Sequence, residues 1–262
     1  MIGGTGPEST VEYYRRLIAA YRTRNPGGGA PPIVINSIDN KNLVDWFTRN
    51  EHAPVIDFLA VEIERLGRAG ADFALIAAVT PHLVLDELKQ RTRIPLLSIV
   101  EATADAAAAV RLRRLALFGT RFTMEAALFP NAFARRGMTI VVPNEEEQAF
   151  IHDKYMGELF VGTILDETRA ALIDIVETMK QRNNVDGLIL GGTELSLILR
   201  EPTAAGLSVL DTTQIHVDAA IEWMRRDWGV RGQRSEIRDR RTENSGQERL
   251  VTSRSSPVTG RN

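Results

Sequence analysis

Four threonines stand where they could hold a small anion. Thr5 in GGTGP, Thr80 in AVTPH, Thr120 in FGTRF and Thr193 in GGTEL each lie beside glycine, alanine or proline, at the head of a helical pattern. The first turn of a helix leaves backbone N–H groups unpaired and carries the positive end of the dipole, so it attracts anions. A threonine there can cap the helix and still offer its hydroxyl to a ligand. In parallel α/β sheets such turns gather at the carboxyl ends of the strands, where ligands bind. Any one of these threonines alone is an ordinary N-cap. Their recurrence at matched positions points to a cleft that takes a small carboxylate, or an amino acid with two.

Two titratable residues accompany the threonines. His82 follows Thr80 by two positions, and Glu194 follows Thr193 directly. A helix N-terminus favours the neutral imidazole, which can act as acid or base. A glutamate facing it across a cleft would complete a two-sided acid/base pair. The plainer readings are a satisfied buried histidine and a carboxylate compensating the helix dipole. Other chemistries find little support. GGTGPES lacks both the GxGxxG spacing and a Walker lysine, and no GxSxG elbow occurs. His52, His82, His152 and His216 are far apart with no HExxH spacing, so neither a metal nor another cofactor is expected. The chain has no cysteine, which excludes disulfides, thiolate metal sites and thiol nucleophiles together.

The elements that must position these residues repeat. ADFALIAAVTPHLVLDEL (71–88) is echoed by VDGLILGGTELSLILRE (185–201), and LLSIVEATADAA (96–107) by LSVLDTTQIHVDAA (207–220). Such repetition of a strand–turn–helix unit predicts two similar halves facing a shared cleft. Helical spacing covers Glu8 to Arg24, NPGGGAPP is a loop, and strands are expected at Ile33–Ile38, Phe73–Ala78 and Ile94–Ile99. A helix from Pro54 to Ala69 stops at Gly70, and another begins at Pro81. The cycle restarts with a strand near Arg114, a Gly119–Thr120 turn and one helix running toward Gly137. MTIVVP and Gly187–Leu190 read as strands; helices follow over Glu145–Val161, Asp166–Arg182 and Ile215–Trp228. Alternating strands and helices imply mostly parallel sheets flanked by helices. The division is 1–100 and 101–208 for two α/β domains, 209–228 for a helix returning to the first, and 229–262 for a disordered basic tail. Ile2-Gly3-Gly4 resembles the exit of a strand whose beginning is missing, so a truncated first strand is expected.

Bulk composition narrows the class. The 262 residues are 44% hydrophobic and 25% charged, with a formal charge of −2, which fits a globular protein with a real core. That balance argues against nucleic-acid and membrane partners. No apolar run approaches a membrane span and no signal segment opens the chain, so the cytoplasm is the expected location. The tail is Arg-rich but has no aromatic residue to stack on a base.

IGGTGPESTVEYYRRL, the TPH turn, GTRFTME, YMGEL and LILGGTEL together resemble the aspartate/glutamate racemase family of cofactor-independent amino-acid racemases, from Ile2 to about Trp228. The resemblance implies two pseudo-symmetric α/β domains with an active-site cleft between them, a small carboxylate or amino-acid ligand, and a homodimer. It further implies a two-thiol mechanism, in which one cysteine removes the Cα proton and the other reprotonates the opposite face. The family's CNTxH turn reads here Ala78-Val79-Thr80-Pro81-His82, and its GCTE turn reads Gly191-Gly192-Thr193-Glu194. Ala78 and Gly192 thus occupy the thiol positions, and Val79 replaces an asparagine that contacts substrate. By the same resemblance Thr80, Thr120 and Thr193 contact substrate, and Lys41 lies near the family's cationic carboxylate-binding residue.

Neither alanine nor glycine transfers a proton, so the thiol route cannot run. Three readings follow. The first is a racemase acting on a small acidic amino acid, with His82 and Glu194 as substitute bases. The second is a one-sided lyase, decarboxylase or isomerase of a small carboxylic acid in the same cleft. The third is a non-catalytic carboxylate-binding relative.

Overall fold

A parallel strand cannot rejoin its neighbour without a crossover, and the alternation of apolar runs with helical stretches supplies those crossovers. The computed structural model describes residues 1–226. Met1–Ala220 forms one compact unit, and a second unit begins at Ile221. In the second unit residues 221–226 are helical and carry an Arg225–Glu222 ion pair of 3.1 Å. The tail expected over 229–262 lies outside the described residues.

The first sheet of the larger unit is built on β1 (Ile2–Gly3), which leads into α1 (Pro7–Arg24). On one side β1 pairs in parallel with β2 (Asn36–Ser37), Ile2 opposite Asn36. On the other, Ile2 N–H donates to Leu75 O and Ala77 N–H donates to Ile2 O, both at 2.9 Å. Ala74 then bridges in parallel to Leu96. The stretches expected as strands at Ile33–Ile38, Phe73–Ala78 and Ile94–Ile99 therefore lie in one parallel array, with β1 between the first two, but are paired over only a few residues each. Next to β1 the reason is geometric: a ladder is no longer than its shorter member, and β1 is two residues long. The Met1 amine donates to Val34 O at 2.7 Å, and burial lowers its pKa to about 5. After α2 (Lys41–Thr48), α3 (His52–Arg68) covers this sheet, and Val55, Leu59 and Ile63 pack with Ile2 and Ile76 in one core. A short 3₁₀ turn at Thr80–Val84 and then α4 (Leu85–Arg91) follow the 74–78 segment.

The second sheet holds β3 (Arg114–Phe118), β4 (Thr139–Val141), β5 (Gly187–Leu190), β6 (Thr203–Ala204) and β7 (Leu207–Asp211), in the order β4-β3-β5-β7-β6. All neighbours are parallel except the β6–β7 hairpin. Phe118 pairs with Leu190, and Leu190 with Asp211, so three strands end at one level and their turns emerge together. Both faces are covered. Ala116, Phe118, Leu188 and Leu190 pack beneath α8 (Glu145–Gly157) and α9 (Asp166–Asn183), through Ile151, Tyr155, Leu172 and Val176. Leu115, Leu117 and Ile189 face α5 (Ile99–Ala109) and α7 (Leu128–Ala134), through Ala104, Phe129 and Phe133. Strands buried on both sides read as unbroken apolar runs, as RLALF and GLIL do.

Two expected helices differ from those found. The single helix expected after Gly119–Thr120 is split into α6 (Arg121–Glu125) and α7, with Ala126 extended at φ −78°, ψ 148°. Pro130 is the cause: its ring collides with the carbonyl four residues back, and it has no N–H to give that carbonyl. The last helix starts at residue 212 instead of 215. Asp211 Oδ1 accepts from Thr213 N–H at 2.9 Å and Gln214 N–H at 3.2 Å, capping an earlier start.

Candidate active site

The carboxyl ends of the two sheets face each other across a cavity of about 630 Å³, counting the open solvent at its mouth. Thr5, Gly6, Ala78, Val79 and Thr80 line it from the first sheet's side, together with Leu43, Val44 and Phe47 of α2. Thr120, Thr123, Gly191, Gly192, Thr193 and Glu194 line it from the second, with Phe122 of α6, Tyr155 and Met156 of α8, and Phe160. The structure thus brings Thr5, Thr80, Thr120 and Thr193 to one cavity. Thr5 Oγ1 is buried there without a hydrogen-bond partner, while Thr120 Oγ1 meets Thr123 Oγ1 at 3.3 Å.

Glu194 is the polar hub. It is 3% exposed, and its carboxyl oxygens are met by three hydroxyls. Ser9 Oγ donates to Oε1 at 2.7 Å, Thr193 Oγ1 to Oε2 at 2.9 Å, and the Tyr155 hydroxyl also donates to Oε2. Ser9 Oγ and Thr193 Oγ1 are themselves 2.7 Å apart. Three hydroxyl hydrogens therefore serve four oxygen–oxygen contacts. Ser9 lies on α1, so this network ties the two halves together. Burial, and then the neighbouring Glu194, push the Tyr155 phenol well above its ordinary range, so it is a proton donor at neutral pH.

Two glycines make the hub fit. A Cβ on Gly6 would lie 2.2 Å from Glu194 Oε1, and one on Gly192 would lie 2.4 Å from Tyr155 Cε2. The tyrosine ring rests directly on the Gly192 backbone.

His82 and Lys41 stand elsewhere, which corrects the roles expected of them. His82 is 2% exposed and does not line the cavity. Its Nε2 accepts from Ile99 N–H at 3.1 Å, so Nδ1 carries the hydrogen and donates to Ala78 O at 3.0 Å. Both ring nitrogens are spent clamping the Ala78 turn to the start of α5, and burial lowers the pKa to about 4. A second buried imidazole, His216, stands edge-on to it at 5.9 Å between centroids and accepts from the Tyr13 hydroxyl at 2.9 Å. Lys41 is exposed at the start of α2; its backbone N–H donates to Asp39 Oδ1, and its side chain does not line the cavity. Tyr155 and Ser9 were not singled out from sequence. YMGEL offered Tyr155 as a motif residue, but at four positions after Ile151 it reads as core; Ser9 reads as first-turn polarity.

Two α/β halves with parallel sheets, meeting at a cavity lined by strand-end turns, define the class: a small-ligand cleft protein built on paired sheets. A family model described as Asp/Glu/Hydantoin racemase matches residues 2–220. The chain belongs to that family. An aspartate racemase homologue from Pyrococcus horikoshii OT3 is 31% identical, with 85% of this chain and 96% of that one covered and a TM-score of 0.73. A Yersinia pestis protein provisionally described as an Asp/Glu racemase is 27% identical over 85% of this chain and 96% of its own, with a TM-score of 0.77. The Picrophilus torridus aspartate racemase, at 20% identity, 84% and 91% coverage and a TM-score of 0.68, shares the fold. Among the described residues no helix is long and apolar enough to cross a membrane.

Proposed function

We propose that this cleft moves a proton at the α-carbon of a small carboxylic or amino acid, a racemase-type reaction, with Tyr155 and Glu194 as the acid/base centre. The carrying observation is that pair: the phenol bonds the carboxyl group and both line the cavity. On the family resemblance Ala78 and Gly192 stand at the thiol positions, and a chain without cysteine needs another proton carrier. Tyr155, lying on Gly192, is at the right place to be one.

The step balances. The Cα–H bond breaks, its proton goes to Tyr155 Oη, and the phenol's own proton passes to Glu194 Oε2. The electron pair stays on the substrate as an enediolate formed with its carboxylate, which the hydroxyls of Thr5, Thr80 and Thr120 are placed to stabilise. Reversal returns the proton to the face it left, and inversion requires in addition that water protonate the opposite face of the planar enediolate.

One observation favours a second, one-sided reading. The first sheet's wall of the cavity (Thr5, Gly6, Ala78, Val79, Thr80 and the α2 residues) brings no group that titrates near neutral pH. Inversion needs delivery to both faces, whereas a decarboxylation needs one: the C–C bond breaks, carbon dioxide leaves, and Tyr155 gives its proton to the resulting carbanion. A phenol held protonated suits that role. The homodimer belongs to the same family reading and is checked by sedimentation.

Incubation with small carboxylic and amino acids in D₂O, followed by NMR and chiral chromatography, separates the readings. Exchange with inversion supports racemisation, and product or exchange with retention supports the one-sided reaction. Saturable binding with neither leaves a binding protein and ends both. Tyr155→Phe is expected to abolish either chemistry.

A further inference from the structure

The cavity lining divides by chemistry into hydroxyl-bearing threonines, called here the floor, and large apolar side chains, called the roof. Leu43, Val44 and Phe47 of α2 face inward from one side, Phe122, Met156 and Phe160 from the other. Among the described residues no lysine, arginine or histidine lines it, and the carboxyl group of Glu194 is the acidic function present. The floor offers donors for one carboxylate: Thr5 Oγ1, buried and unpartnered, with Thr80 and Thr120 in the same lining. A second carboxylate on the substrate would lie against the roof with no cation among the described residues to pair with, and an unpaired buried charge is strongly disfavoured.

From this we infer that the substrate is a monocarboxylate whose α-carbon bears an apolar or aromatic group, not an acidic amino acid. The floor takes the carboxylate, and the six apolar side chains take the substituent. The location rests on the function proposed above, but recognition is tested apart from turnover.

Titration calorimetry on the full chain with phenylacetate, both enantiomers of phenylalanine, succinate, aspartate and glutamate reads the preference directly. The aryl acids are expected to bind saturably and at least ten-fold more tightly than the acidic ones. Equal or tighter binding of aspartate, glutamate or succinate overturns the inference, and so does saturable binding by neither class. Val44 is 36% exposed, so Val44→Lys places a cation in the roof without disturbing the core. That variant is expected to bind succinate several-fold more tightly and phenylacetate more weakly; an unchanged ratio overturns the role of this wall. Aryl acids that bind without proton exchange or product refute the proposed chemistry and leave the inference standing. Acidic substrates that bind and exchange do the reverse.

Discussion

The Tyr155 ring occupies the space that a side chain on Gly192 would need: a Cβ there would lie 2.4 Å from Cε2 and 2.8 Å from the hydroxyl oxygen. The two residues are complementary. A side chain at 192 and a phenol at 155 cannot both be held in this arrangement, and the phenol is the one that reaches Glu194.

Gly192→Ala is therefore expected to destabilise the fold by about 1–3 kcal/mol through overpacking. Combining it with Tyr155→Ala should recover part of that loss, because the clash disappears with the ring. A double-mutant cycle in urea denaturation measures the coupling. Additive costs would show that Tyr155 does not hold this space in solution.

Replacing Glu194 separates charge from hydrogen bonding. Glu194→Ala leaves the hydroxyls of Ser9, Thr193 and Tyr155 without their acceptor, and is expected to cost about 1–3 kcal/mol for each buried hydroxyl that finds no new partner. Glu194→Gln keeps an oxygen acceptor and should be milder in stability, yet equally unable to take a proton from Tyr155. Equal melting losses for the two variants, or retained α-proton exchange in Glu194→Gln, would contradict the assignment.

Acid should weaken the protein well before its carboxylates titrate. Burial lowers His82 to about 4 and His216 to about 3, against 6.5 for the free imidazole. The unfolded chain therefore binds more protons than the folded one below pH 6.5, and stability is lost as pH falls from there. The Met1 amine, at about 5 against 8.0, acts with the same sign from a higher pH. His82 alone should account for about 3 kcal/mol by pH 4. Urea unfolding at half-unit steps from pH 7.5 to 4.5 follows this, and His82→Gln should flatten the slope. A stability constant across that range would refute the neutral, buried state of both rings.

Much of the fold was legible because its signals are local. Apolar runs such as RLALF and GLIL, followed by glycine, threonine and a helical pattern, announce parallel strands buried on both faces. Pro130 also carried its message locally, four residues after Ala126, although a single helix was expected there. The four threonines could be placed on one cavity from sequence because each follows a strand, and parallel strands bring their exits to one edge. His82 could not be placed that way. Its backbone position is at a turn beside the cavity, but the ring turns inward, where Ile99 N–H and Ala78 O fill both nitrogens.

Taken alone, the order of residues determined the strand–helix alternation, the lack of any thiol and the set of strand-end turns, since each depends on neighbours within a few positions. Tertiary structure alone decided the hydroxyl–carboxyl hub around Glu194. Ser9 and Glu194 are 185 residues apart, and Tyr155 and Glu194 are 39 apart. Their meeting depends on how α1 crosses to the second half and on how α8 packs over the sheet. Helix crossings of that kind are set by the summed packing of many side chains, which no short window of sequence contains.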